Sequence, residues 1–164
     1  MNRINKSILL VLAAENFNEQ EYLILKNTLL RKGYNIFIAS DANSLCVGSN
    51  GLKVRADVNF FNMNEKNFAA LVFIGGNGIK NYWNNPQLHK VAKDFLNSKK
   101  IVAAICSASI ILANAGVLKD HQATCYPSDK VELERSGVKF CDSPIVTDFN
   151  IINAQGPSDS PELA

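Results

Sequence analysis

The chain has 164 residues, of which 47% are hydrophobic and 20% are charged, and 17 basic against 15 acidic residues give a formal net charge of +2. This composition is typical of a single globular domain with a hydrophobic core, and it excludes disordered, collagen-like and coiled-coil proteins. The near-neutral charge indicates no nucleic-acid partner. No apolar run reaches the roughly 18 residues of a membrane helix, so no membrane partner is expected.

The start of the chain predicts a cytoplasmic protein. Residues 8–14 form an apolar run that a polar segment with Arg3 and Lys6 precedes and an acidic segment follows. A signal peptide would have a small-residue cleavage site at that point, so the run is interpreted as a buried strand. No CxxC pair occurs, and neither a metal nor another cofactor is expected. Each cysteine is first interpreted as a small buried hydrophobic residue: Cys46, Cys106, Cys125 and Cys141.

Short apolar runs alternate with amphipathic stretches along most of the chain. Strand, helix and strand in this order predict an α/β fold with a mainly parallel sheet and helices on both faces. Ligands bind beyond the carboxyl ends of the strands in such sheets. The predicted strands are 8–13, 34–39, 68–74 and 101–105, the helices are 19–32, 86–99 and 107–115, a hairpin pairs 45–47 with 52–54, and a β-rich end covers 122–125, 138–140, 145–147 and 151–153.

Candidate functional residues follow three of these strands, and Cys106 is the most informative of them. It stands between a β-branched strand and a predicted helix of small residues. This is the arrangement of a nucleophile elbow, with cysteine in place of serine. A helix N-terminus behind the sulfur is expected to lower the thiol pKa and to make Cys106 the most reactive cysteine.

Backbone and carboxyl groups at the other strand ends complete the predicted site. The amides of Gly76 and Ser107 are expected to form an oxyanion hole, and a protonated Glu15 to donate a hydrogen bond to the thiolate. Each feature has an ordinary alternative: a packed cysteine, a tight glycine turn, a first-turn acidic residue. Because the cysteine, the glycine turn and the acidic residue are all expected at one sheet edge, a functional site is favoured over three separate structural roles. His89 and His121 are expected to be exposed and outside it.

Several segments of the sequence share one family pattern, and they are Glu15 with residues 50–57, 72–78, 100–106, 112–118, 123–127 and 155–157. Together they resemble the ThiJ/PfpI family, which includes the Parkinson-disease protein deglycase and the intracellular PfpI-type proteases. The resemblance covers residues 6–157. It implies a flavodoxin-like three-layer sandwich of the class I glutamine-amidotransferase type and a homodimer. It also implies a reactive Cys106 hydrogen-bonded to a protonated Glu15.

The family resemblance also implies what such a site acts on. Activities in the family include deglycation, glyoxalase, peptidase and chaperone activity and oxidative-stress sensing. The expected partners are a small carbonyl compound or a modified protein, and a second copy of the chain. The residues expected to line the substrate pocket are Gly75, Asn77, Tyr126, Pro127, Gly156 and Pro157.

The sequence departs from the family pattern at two functional positions and at its end. Ser107 stands where PfpI-type proteases have histidine, and Tyr126 where the deglycase-like branch has one. The domain is taken as residues 1–164, and by the family resemblance it is expected to lack one closing helix. A cysteine-dependent deglycase or glyoxalase is therefore the first hypothesis. A redox sensor or chaperone is the alternative, a packing-only elbow is the third, and a protease is disfavoured.

Overall fold

The computed structural model describes residues 6–41 and 45–163, so residues 1–5, 42–44 and 164 of the expected domain lie outside it. Strands predominate in the first two thirds of the chain, where α1 and α2 each connect strands of the central sheet. The strands are β1 (Ser7–Val11), β2 (Glu15–Phe17), β3 (Asn35–Ser40), β4 (Leu45–Gly48), β5 (Lys53–Arg55), β6 (Val58–Asn59), β7 (Ala70–Phe73), β8 (Ile101–Ile105), β9 (Gln122–Ala123), β10 (Lys139–Phe140), β11 (Ile145–Asp148) and β12 (Ile151–Ala154). The helices are α1 (Glu19–Arg31), α2 (Pro86–Asn97), α3 (Ser109–Asn114), α4 (Lys130–Arg135) and α5 (Ser160–Leu163).

A mainly parallel sheet forms the centre of the fold, as the sequence predicts. Within the described residues it has seven strands in the order β11-β12-β8-β7-β1-β3-β6. β8 pairs in parallel with β7 and with β12, whereas β11 is antiparallel to β12. The carboxyl ends of β1, β7 and β8 therefore meet at one edge, because parallel neighbours end together.

Two hydrophobic layers cover the two faces of this sheet. Leu9 and Val11 of β1 belong to the core that includes α2 and α3. Ile8 and Leu10 alternate with them and belong to the core that includes α1. This alternation is the period of two that a strand covered on both faces requires. The three-layer α/β sandwich confirms the predicted fold class.

The segments around the central sheet differ from the sequence prediction in detail. Helix α4 and the 3-10 helix Pro127–Asp129 occupy a part of the chain that was predicted to be β-rich. The predicted helix after β8 begins as the 3-10 helix Cys106–Ala108 and continues as α3. Among the described residues, no helix combines the length and the apolar character needed to cross a membrane.

Candidate active site

Cys106 lies at the end of β8 in a strained backbone conformation. Its φ angle is +60°, in the left-handed region that residues other than glycine rarely adopt. The side chain is 6% exposed. Ala104 and Ala108 on either side are fully buried, and their small side chains allow the strand and the following helical turn to pack closely. The backbone therefore has the geometry of a nucleophile elbow.

Glu21 supplies the carboxyl group beside this thiol. It lies on the first turn of α1, is fully buried, and accepts a hydrogen bond from the Gly75 N–H at 2.7 Å through Oε2. The Cys106 side chain also contributes a hydrogen-bond interaction that lowers the pKa of this carboxyl group. Oε1 of Glu21 is buried with no hydrogen-bond partner in the described part of the chain.

The expectation that Glu15 lies beside the thiol is corrected by the structure. Glu15 is exposed and belongs to β2, which leaves the central sheet to pair with β4. Its carbonyl oxygen lies so close to Gly78 that a Cβ there would meet it at 1.7 Å. A sequence signal for Glu21 did exist: Glu21, Leu25 and Leu29 recur at intervals of four on the buried face of α1.

The environment shifts the pKa of both groups in the pair. Burial raises the pKa of Glu21 from 4.5 to about 7, and hydrogen bonds from Gly75 and Cys106 limit this rise. Burial, followed by repulsion from the Glu21 carboxylate, raises the pKa of Cys106 to about 12, while interactions with Ser107 and Gly76 oppose it. This is opposite to the lowered thiol pKa that the sequence predicted. Desolvation outweighs the effect of the short helical turn behind the sulfur.

The backbone N–H groups of Ser107 and Gly76 both form hydrogen-bond interactions with the Cys106 sulfur that lower its pKa. Gly76 has a φ of +111°, and a Cβ there would meet the Asn18 nitrogen at 2.5 Å. At Gly75 a Cβ would collide with the Glu21 carboxyl at 2.8 Å and with the Cys106 Cβ at 2.9 Å. The Gly-Gly pair is thus required by close packing between the end of β7, the start of α1 and the elbow.

The Ser107 hydroxyl connects the elbow to a buried carboxylate that sequence reasoning missed. Ser107 Oγ donates to Asp129 Oδ2 at 2.5 Å, and Lys80 Nζ lies 3.5 Å from Asp129 Oδ1. The Trp83 indole N–H donates to the Ser107 carbonyl at 2.8 Å, which fixes the peptide that follows Ser107. An acidic residue after a Pro-Ser turn gives no sequence signal for such a contact.

The remaining predicted pocket residues are less closely tied to the thiol. Asn77 is exposed at the start of a 3-10 helix, and Tyr126 is 44% exposed just before Pro127. Gly156 and Pro157 precede and begin a different 3-10 helix, which packs against α1. Of the predicted residues, the structure brings Gly75, Gly76 and Ser107 against Cys106. No contact with the sulfur is described for the predicted pocket residues Asn77, Tyr126, Pro127, Gly156 and Pro157.

The two histidines of the chain are engaged elsewhere. His89 Nε2 lies 2.8 Å from the Trp83 carbonyl, and His121 Nδ1 lies 3.1 Å from Asp148 Oδ2. Cys125 is buried, as expected, and the charge of Cys106 contributes to raising its pKa to about 12, after burial and Asp129. The described residues contain no cluster of His, Cys, Asp and Glu that would hold a metal ion.

Known proteins resemble this chain over most of its length, both in sequence and in fold. A deglycase from Pyrococcus horikoshii is 31% identical over 150 residues, which cover 92% of this chain and 90% of the relative. A glutathione-independent glyoxalase from Caenorhabditis elegans is 24% identical over 159 residues, 97% of this chain and 85% of the relative. The crystal structure of a ThiJ/PfpI domain protein from Brachyspira murdochii superposes with a TM-score of 0.94 at 30% identity, over 96% of this chain and 91% of the other.

The family model described as DJ-1/PfpI family matches residues 6–164. This range contains β1, the Gly-Gly turn, the elbow and α1 with its buried carboxyl group. Together with the relatives at 30% identity or more, the match shows that the chain belongs to the DJ-1/PfpI family.

Proposed function

We propose that the chain is an enzyme that uses the Cys106 thiol to attack small reactive carbonyl compounds or the adducts they form on proteins. One observation carries this proposal: the buried Glu21 carboxyl group and the N–H groups of Gly76 and Ser107 converge on one strained cysteine. Relatives named deglycase and glyoxalase support the same class of substrate.

Glu21 is suited to move the thiol proton because its pKa of about 7 lies near neutral pH. Its carboxylate takes the proton from Cys106, and the sulfur then forms a bond to the aldehyde carbon. The π electrons of the carbonyl move to its oxygen, where the N–H groups of Gly76 and Ser107 stabilise the negative charge. The proton on Glu21 passes to that oxygen and gives a hemithioacetal.

A dicarbonyl substrate such as methylglyoxal allows the reaction to go on to a hydroxy acid. Glu21 removes the C–H proton of the hemithioacetal carbon, and the resulting enediol is protonated at the neighbouring carbon, which leaves a thioester on Cys106. Water cleaves the thioester and restores the thiol. Methylglyoxal and water are thereby converted to lactate with no external oxidant or reductant, so the chemistry requires only the groups at this site.

Methylglyoxal consumption by the purified chain tests the proposal. Cys106→Ser is expected to abolish consumption, and Cys141→Ser, which changes a partly exposed cysteine away from the site, is expected to leave it unchanged. Equal rates for the unaltered chain and Cys106→Ser contradict the proposal.

A second function, oxidation sensing, is favoured by the buried Oε1 of Glu21 that has no partner within the described residues. Hydrogen peroxide would convert the thiolate to sulfenate with release of water, and a second peroxide would give sulfinate. A protonated Glu21 would donate to a sulfinate oxygen. Intact-mass measurement under mild peroxide distinguishes the two functions: selective addition of two oxygen atoms at Cys106, without turnover of any carbonyl, supports sensing.

We propose from the family resemblance that the chain forms a homodimer, and the cytoplasmic location expected from the sequence stays a prediction. Light scattering of the purified chain tests the first. A mass of one chain across the micromolar range contradicts it.

A further inference from the structure

We propose that Asp129 is a positioning residue that makes the Ser107 hydroxyl accept a hydrogen bond from the Cys106 thiol instead of donating one to it. This inference deepens the proposed function, because it concerns the state of the same nucleophile. The elements involved are the elbow after β8, the 3-10 helix Pro127–Asp129 and the 3-10 helix Asn77–Tyr82 that carries Lys80.

A hydroxyl group has one proton to donate, and the distances show where that of Ser107 goes. Ser107 Oγ lies 2.5 Å from Asp129 Oδ2 but 4.0 Å from Cys106 Sγ, and the thiol is the donor in the second contact. A short hydrogen bond to a charged carboxylate is stronger than a long one to sulfur. The hydroxyl proton is therefore committed to Asp129, and only a lone pair faces the thiol. The Ser107 side chain lowers the pKa of Cys106 only where its hydroxyl proton points at the sulfur, and the 2.5 Å hydrogen bond to Asp129 draws the proton away from that position.

Asp129 is held in this role by contacts that do not serve the helix it begins. It is the residue at the N-cap of α4, where aspartate ordinarily accepts a hydrogen bond from the first turn, yet its side chain makes no capping bond. It is 4% exposed, and Lys80 lies near Oδ1 and leaves Oδ2 for Ser107. The buried Asp129 carboxylate thus binds the Ser107 hydroxyl instead of capping α4. A positioning role toward Ser107 explains this arrangement.

Substitution of Asp129 by asparagine reverses the direction of these hydrogen bonds. Lys80 retains the amide oxygen at the Oδ1 position, so the amide NH₂ faces Ser107 and donates to it. The hydroxyl proton is then free to stabilise the Cys106 thiolate. A hydrogen bond to a charged group shifts a pKa by about one unit, so the thiolate fraction of Cys106 is expected to rise about tenfold.

Other charged groups near the thiol influence it without the Ser107 hydroxyl, so their influence can be distinguished from the effect proposed for Asp129. Glu21 acts on Cys106 from α1, and Asp129 and Cys106 both contribute to the raised pKa of Cys125. A simple loss of negative charge at Asp129 would raise thiolate formation with or without the hydroxyl. The proposal instead requires that the increase disappear when Ser107 is replaced by alanine.

The experiment measures the rate of iodoacetamide labelling of Cys106 at pH 7, resolved from the other cysteines by peptide mass spectrometry. The chains compared are the unaltered protein, Asp129→Asn, Ser107→Ala and the double variant. Glu134→Gln serves as a control that removes an exposed acidic residue of α4. Thermal unfolding of each variant shows that it is folded.

Support requires three results: about tenfold faster labelling of Asp129→Asn, no slowing in Ser107→Ala, and loss of the gain in the double variant. Unchanged or slower labelling of Asp129→Asn overturns the proposal, as does a double variant that stays fast. If Asp129→Asn does not fold, Ser107→Ala decides, because slower labelling shows that the hydroxyl donates to the sulfur in the natural chain. Methylglyoxal turnover is measured separately, so failure of the proposed function is recognised independently.

Discussion

The Glu21 carboxyl group, on the first turn of α1, and the Cys106 thiol, at the end of β8, interact beside the Gly75 N–H at the edge of the central sheet. Both groups are almost fully buried, and each shifts the pKa of the other. A buried acid and thiol in contact favour a shared proton over two separate charges. This pairing underlies most of the expectations that follow.

Replacement of Glu21 by glutamine is expected to reduce methylglyoxal turnover at least about 100-fold, because the amide keeps the shape of the side chain but cannot accept the thiol proton. The matched control is Glu15→Gln, which changes an exposed acidic residue close to the same sheet edge. Steady-state kinetics with methylglyoxal measure the turnover of both variants. A defect in Glu15→Gln equal to that in Glu21→Gln would count against the assignment of Glu21.

The pH dependence of stability provides an independent check on Glu21. Between pH 4.5 and about 7 the folded chain holds a proton on this carboxyl group that the unfolded chain has lost. Stability therefore falls as pH rises through this window, by about 3 kcal/mol from this group. Urea unfolding at pH 5 and pH 8 should show this contribution in the unaltered chain and in Glu15→Gln, but not in Glu21→Gln. Identical pH dependence in all three contradicts the raised pKa.

Activity is expected to increase with pH through about 7, since Glu21 must be ionised to take the proton from Cys106. The quantity to measure is kcat/KM for methylglyoxal from pH 5 to 9, which reports groups of the free enzyme. An inflection near pH 7 is expected in the unaltered chain. A profile that is flat from pH 6 to 8 would show that ionisation of Glu21 does not limit the reaction.

Alanine substitutions at two glycines with positive φ angles distinguish the cost of backbone strain from the cost of steric collision. Gly76→Ala introduces strain and also places a Cβ 2.5 Å from the Asn18 nitrogen, so a loss of at least about 3 kcal/mol in the free energy of unfolding is expected. Gly116→Ala introduces strain with no atom within 4 Å, and a loss of about 1 kcal/mol is expected. Urea unfolding measures both. Equal losses would show that Gly76 is not closely packed against the start of α1.

Much of the fold could be predicted from local patterns in the chain. Continuous apolar runs gave β1, β7 and β8, and helical spacing gave α1 and α2, because burial on one or two faces imposes a period that is readable in the sequence. Cys106 was found by the same means, since a nucleophile elbow is a local strand-to-helix junction. The short helix α4 was missed because it is only six residues long and has little periodicity.

The partners of Cys106 depended on tertiary structure. Glu15 and Glu21 follow the same strand within a few residues, and what separates them is that β2 leaves the central sheet while α1 turns Glu21 inward. Asp129 reaches Ser107 only because α3 and α4 pack together. Even the direction of the thiol pKa shift was decided by burial, which no short stretch of sequence records. The sequence alone therefore determined the fold class and the position of Cys106 at the end of a strand. The packing of distant elements determined which groups act on its thiol, because desolvation and contact are properties of the folded chain.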